Sequence, residues 1–160
     1  MHFNVKEDII QLTPLWKGER FEDGRPKVSD EDIAELKKLT QEQIWESLWE
    51  NDYKNQFESH LMRIHEDDRK LIGRAVTAAY IPSRPDLFDV VEEIGHSEGR
   101  KGTHNLWVVD KLVDGDVAVV DMYDKVYEGT FVGGNLSTAI STNTKTGGAV
   151  IWGGIRDIEQ

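Results

Sequence analysis

The second half of the chain switches repeatedly between two hydrophobic periods, and that alternation limits the folds open to it. "KLIGRAVTAAYIP" has strand character, with Gly73 and Pro82 as bounds. "RPDLFDVVEEIG" opens with proline and puts Leu87, Phe88, Val91 and Ile94 on one helical face. Gly95 is the expected C-cap of that helix. "NLWVVDKLV" reads as a helix, and "DGDVAVVDMYD" as a turn followed by a strand. "GGNLSTAISTNTKTGG" reads as a helix begun at a Gly-Gly-Asn turn, and "AVIW" as the next strand. Strand, helix and strand in that order make a βαβ passage, so the fold class is α/β.

The first half is different. "TPLWKGERFEDGRPKVSDED" is rich in Gly, Pro and charge, and reads as a surface segment anchored by Trp16 and Phe21. Ser29 with Asp32, then Thr40 with Gln43, have the spacing of helix-starting capping boxes. Ile33, Leu36 and Leu39 mark one short helix face. Ile44, Trp45, Leu48 and Trp49 mark a second, for which core or helix–helix packing is expected.

Charge and composition exclude several classes of function. Acidic residues outnumber basic ones 30 to 19, giving a net charge of -11. A field of that sign repels phosphate backbones, so nucleic acid is not an expected partner. No apolar run reaches the length of a membrane span, so no membrane is expected either. The first ten residues lack the long apolar centre of a secretion signal. The chain has no cysteine, which removes disulfides and thiolate chemistry and leans the compartment toward the cytoplasm.

Several catalytic signatures fail on spacing. His65-Glu66 would suit a zinc protease only with a second histidine at position 69, where Arg69 stands. His60 and His65 lie too far apart around a helix to share a metal. Gly147-Gly148 is not followed by the lysine of a phosphate loop, and no Gly-x-Ser-x-Gly elbow exists. His96 and His104 bracket a polar loop and are expected to be solvent-exposed.

One constellation remains, at residues 133–157. A helix beginning at Gly133-Gly134-Asn135-Leu136 offers backbone N–H groups to an anion. Arg156 follows a strand and a two-glycine turn, and a guanidinium can grip a carboxylate through two parallel hydrogen bonds. Asp157 beside it is a hard oxygen ligand suited to Mg²⁺. In a parallel sheet, both the helix start and Arg156 follow the carboxyl end of a strand, so they belong to the same sheet edge.

"GGNLSTAISTNTKTGGAVIWGGIRD" resembles the signature of the family that contains the regulator of ribonuclease activity A and the 4-hydroxy-4-methyl-2-oxoglutarate aldolases. Twenty residues separate Asn135 from Arg156, as in that pattern, and "LIGRAVTA" and "DGDVAVVD" resemble earlier strands of the family. The resemblance implies a layered β/β/α sandwich with flanking helices. Residues 1–69 would be a mainly helical N-terminal extension, and 70–160 the N-terminal portion of an RraA-like domain. The family continues beyond Arg-Asp, so the expectation is a chain whose C-terminal part is missing.

The resemblance also implies chemistry. Gly133, Gly134, Asn135 and Leu136 would bind the carboxylate of a small 2-oxo acid. Arg156 would hold its carboxylate or keto oxygen and stabilise an enolate, and Asp157 would bind Mg²⁺ or another divalent cation. Retro-aldol cleavage or decarboxylation would release pyruvate, without a Schiff-base lysine. A homotrimer or hexamer is implied in the same way. The alternative is a non-catalytic regulator of the ribonuclease-regulator type, acting by protein–protein contact.

Overall fold

The computed structural model describes residues 5–65, 68–123 and 129–158. The chain divides into two compact units, Met1–Gln56 and Phe57–Gln160.

In the first unit, helices α1 (Lys6–Leu12), α2 (Asp30–Leu36) and α3 (Gln41–Glu50) are short. The Thr40 side chain accepts from the Gln43 amide while the Gln43 side chain accepts from the Thr40 amide, a complete capping box. Ser29 accepts from the Asp32 amide, but Asp32 returns its carboxylate to the Ser29 hydroxyl and leaves the backbone unbridged. The 13–32 segment folds on itself. Arg20 pairs with Pro26 in an antiparallel bridge, and its guanidinium donates to the Thr13 hydroxyl and to the Thr13 and Gly24 carbonyls. Trp16 donates its indole N–H to the Glu19 carbonyl, and Arg25 stacks over Phe21 at 4.8 Å. Both aromatics therefore anchor the segment locally.

The tryptophan stripe of α3 departs from the expected core packing. Trp45 and Trp49 are 42% and 44% exposed. They pack on one another at 5.5 Å, and Lys54 covers Trp49 at 4.4 Å. A helix of ten residues presents too little apolar area to seal two indoles, and a lysine stem can shield what remains.

In the second unit the order is β1 (Arg74–Ala79), α4 (Pro85–Ser97), α5 (His104–Val109), β2 (Asp116–Asp121), α6 (Gly134–Thr144) and β3 (Gly148–Trp152). The strands form an all-parallel sheet in the order β1-β2-β3, with Val76 beside Ala118 and Ala118 beside Ala149. The helices between the strands are what make parallel pairing possible, since such strands cannot be joined by a tight turn. The fold class is α/β, as the alternation implied.

One sheet face carries the core. Val76, Ala118 and Val120 pack with Val109 of α5, Ile140 of α6 and the buried Phe131. On the other face Ala75, Thr77, Val119 and Trp152 are exposed. Beneath the sheet, at the amino ends of the strands, Arg74 reaches the fully buried Asp116 at 3.4 Å.

Helix α4 does not end at Gly95. It runs to Ser97, and Gly99 at φ 80° is the left-handed residue that terminates it. The Arg100 amide donates to the Gly95 carbonyl and the Gly99 amide to the His96 carbonyl, which is the Schellman pattern. Gly95 instead makes room for a ring: a Cβ there would lie 2.2 Å from Cη2 of the buried Trp107. Glycine to alanine inside a helix ordinarily stabilises by about 1 kcal/mol. Here overpacking against the indole, typically about 1–3 kcal/mol, outweighs that gain. Gly95→Ala is therefore expected to lower the urea midpoint. A midpoint raised by the substitution would show that the ring is not seated on this glycine.

Candidate active site

The site is assembled by two glycine turns at the carboxyl end of the sheet. After β3 the chain passes Gly153 and Gly154, and Gly154 forms a parallel bridge with Thr130. The Phe131 amide donates to the Gly154 carbonyl at 3.3 Å, and the Arg156 amide to the Val132 carbonyl at 3.2 Å. These bonds run the segment before α6 alongside the segment after β3. They bring Gly133 against Arg156 and Asp157. A Cβ on Gly133 would lie 2.5 Å from Asp157 Oδ2 and 2.8 Å from Arg156 Nε, so only glycine fits there without a shift.

All six residues singled out in the sequence line one cavity of about 510 Å³: Gly133, Gly134, Asn135, Leu136, Arg156 and Asp157. Thr103, Asn105 and Leu106, at the start of α5, form the opposite wall, and Phe131 and Val132 add apolar surface. Arg156 extends freely, its side chain 72% exposed. Its Nε stands 3.7 Å from Asp157 Oδ2, a loose pairing of the kind that contributes little to stability.

The sequence suggested an open row of amides at the start of α6, and the structure differs in one respect. Gly133, the N-cap, has no side chain to satisfy the first turn, and Asp157 supplies the missing acceptor. Its Oδ2 accepts from the Gly134 amide at 3.1 Å, across 23 residues of sequence. The Asn135 and Leu136 amides have no acceptor among the described residues. Because Asp157 is drawn onto the helix, one of its oxygens is occupied, while its side chain remains partly exposed.

Asn105 was not legible as a site residue. Its Nδ2 donates to the Phe131 carbonyl at 3.0 Å, while its Oδ1 accepts from the Leu106 amide and from the Thr103 hydroxyl. It therefore ties the start of α5 to the strand-like segment that leads into Gly133. Thr103 as an N-cap hints at the helix start, but no spacing reveals a partner 26 residues away.

His104 is not the exposed loop residue its setting suggested. It begins α5, with its ring between Phe88 and Trp107 at 4.6 Å from each, and its Nε2 is buried without a partner. His96 is exposed on α4 and meets Trp107 edge-on. Tyr80 lies behind Phe131 and donates its hydroxyl to the His104 carbonyl. Burial pushes its pKa up to about 12, which favours the protonated hydroxyl that this hydrogen bond uses.

Among the described residues no group of three or more His, Asp or Glu side chains converges on a metal. His60 pairs with Glu58 instead, and Glu66 lies outside the described residues. Mg²⁺ does not need a protein cage, however. It is commonly held through one or two carboxylates, with waters and substrate oxygens completing its shell. The partly exposed carboxylate of Asp157, in a cavity that Arg156 also lines, fits that mode of binding.

Comparison with known proteins adds one finding. The family model described as RraA-like, Aldolase/RraA, matches residues 26–160. The chain belongs to the RraA-like family. No curated protein and no solved structure gives a significant match. The RraA-like match covers α2 and α3 as well as the whole second unit, and so includes every residue of the cavity. The family comprises both aldolases and regulators. No helix of the described residues is long and apolar enough to cross a membrane.

Proposed function

We propose that this protein is a divalent-metal-dependent lyase that cleaves or decarboxylates a small 2-oxo acid and releases pyruvate. The observation that carries this reading is the meeting of the α6 amide turn and the Arg156 guanidinium in one cavity, in a member of the Aldolase/RraA family.

In this scheme the first-turn amides of α6 receive the ligand's carboxylate. Helix polarity and unsatisfied N–H groups both favour an anion there. Arg156 faces the 2-oxo oxygen and stabilises the negative charge that grows on it as the C3–C4 bond breaks and the electron pair moves toward C2. In retro-aldol cleavage the 4-hydroxyl gives its proton to water and becomes the carbonyl of the departing fragment. In decarboxylation the same electron pair is left by CO₂. Protonation at C3 by water then gives pyruvate in either case. Leu106, Phe131 and Leu136 exclude water from one side of the ligand and strengthen the charge interactions on the other. Asp157, with waters, would hold Mg²⁺, which supplies Lewis-acid polarisation of the 2-oxo group.

The same reading extends to the assembly. The exposed Val119 and Trp152 on the second sheet face favour a further layer packed there, as in a β/β/α arrangement, and a homotrimer or hexamer. The reading places the protein in the cytoplasm.

A regulatory function is the second reading. It is favoured by the charge of -11 and by the exposed apolar residues of α4, namely Leu87, Phe88, Val90, Val91 and Ile94. The two separate in one assay. With a 4-hydroxy-2-oxo diacid or oxaloacetate and Mg²⁺, the lyase reading expects pyruvate to accumulate, and EDTA to stop it. No pyruvate from either acid with Mg²⁺ or Mn²⁺, together with metal-independent binding to a ribonuclease, would establish the regulator instead.

A further inference from the structure

We infer that Asp157 is the resident occupant of the protein's own anion cradle, and that a ligand carboxylate binds by exchange with it. This deepens the reading of the cavity as a carboxylate site and rests on it.

Four observations converge on this oxygen. Asp157 Oδ2 takes the Gly134 amide at 3.1 Å, the donor that the helix start leaves without a cap of its own. It lies within 2.5 Å of where a Gly133 Cβ would be, so the bare glycine shapes a space that a carboxylate oxygen fills. Arg156 Nε approaches the same oxygen at 3.7 Å from the other side. Amide and guanidinium are the two groups proposed to grip a ligand, and the resting protein presents a carboxylate of its own to both. Finally, Asp157 holds φ at 61°, a left-handed conformation that aspartate adopts more readily than most residues, and this turns the chain so that the carboxylate meets the helix start. Its side chain is partly exposed, so solvent and a ligand can reach it.

Exchange has two consequences. A ligand oxygen that replaces Oδ2 regains the same hydrogen bond to Gly134, so the site selects carboxylates over neutral carbonyl compounds of equal size. The displaced carboxylate is then free, and both of its oxygens become available to a divalent cation. Acid and cation therefore bind with positive coupling, and by linkage each raises the other's affinity by the same factor. Without the cation, the resident carboxylate lowers the apparent affinity for the acid by the fraction of molecules in which the cradle is empty.

The test uses the full chain, with pyruvate as the probe and the backbone amide signals of Gly134 and Arg156 followed by NMR in EDTA. A cradle open in about a tenth of molecules predicts that Asp157→Ala binds pyruvate roughly tenfold more tightly than the wild type. Asp157→Asn retains an acceptor for Gly134 without the charge, so it should fall between the two. Mg²⁺ should tighten pyruvate binding to the wild type and leave Asp157→Ala unchanged. Equal tightening in the alanine and asparagine variants would mean that charge removal alone acts, and would overturn the exchange. Metal-free binding to Asp157→Ala that is no tighter than to wild type would overturn it as well, while leaving the carboxylate site standing. Absence of any shift at Gly134 or Arg156 in well-dispersed spectra of all three proteins would remove the carboxylate site itself. Should the alanine variant not fold, the asparagine variant and the Mg²⁺ dependence of the wild type still decide the question.

Discussion

Asp116→Ala is expected to destabilise the protein by about 3–5 kcal/mol, the cost of leaving one member of a buried ion pair without its partner. Asp116 is fully buried, and the Arg74 side chain is only 9% exposed. The carboxylate accepts from Arg74 Nε at 3.4 Å and from the Val113 amide at 3.1 Å. Arg74 also donates to the Asp114 carbonyl, which holds the guanidinium beneath the sheet. Truncation therefore takes the buried carboxylate away from the Arg74 guanidinium and from the Val113 amide. Against a total stability of about 5–15 kcal/mol, typical of a domain, that loss is a large share. Urea unfolding should show a lower midpoint with an unchanged slope. Arg74→Met combined with Asp116→Leu should cost less than Asp116→Ala alone, because no buried charge is then left unpaired. A single variant within 1 kcal/mol of wild type, a loss no larger than that of one ordinary hydrogen bond, would show that the pair is solvated in solution.

Arg156→Ala is expected to leave folding intact and reduce turnover of a 2-oxo acid by about 10²–10³-fold, the usual effect of removing one preorganised donor to a developing oxyanion. The two effects separate because the side chain is 72% exposed and carries no core packing. Its only ion-pair partner among the described residues is the neighbouring Asp157, at a distance that contributes little to stability. Arg156→Lys should recover only part of the rate, since an ammonium cannot present two parallel donors to a planar acid. The measurement is kcat/KM for pyruvate release, with the thermal midpoint as control. Full activity in Arg156→Ala would remove the guanidinium from the mechanism. A midpoint that falls with the rate would reduce the effect to one of folding.

The sheet and the position of the cavity were legible because both depend on local pattern. Apolar runs at 74–79, 116–121 and 148–152, separated by helical segments, leave parallel pairing as the economical solution. In that arrangement Gly133 and Arg156 both follow strand ends, so their meeting is a matter of topology. Contacts that depend on side-chain reach were not legible. The apolar face of α4 points to Gly95 as its end, whereas the helix runs to Ser97 and closes at Gly99. That Gly95 instead makes room for the Trp107 ring depends on a contact outside the helix. Asn105 and Asp157 act across 26 and 23 residues on backbone groups, which carry no trace in the sequence. The indoles of α3 follow a buried-looking period, yet periodicity identifies a face and does not say whether anything covers it.

The glycine at position 147 gives the sheet a division of labour between its two ends. A Cβ there would fall 1.7 Å from the Asp116 carbonyl oxygen, a backbone atom that cannot yield. Gly73 is similarly confined by the Gly115 carbonyl at 2.5 Å. The amino ends of the strands are thus locked against substitution at these two glycines, while the carboxyl ends, Gly133 apart, carry exposed residues on turns. A mutational library should therefore find almost no alternatives at 73 and 147. It should find wide latitude at the exposed Thr130 and Asn135, where new substrate preferences could evolve without endangering the scaffold.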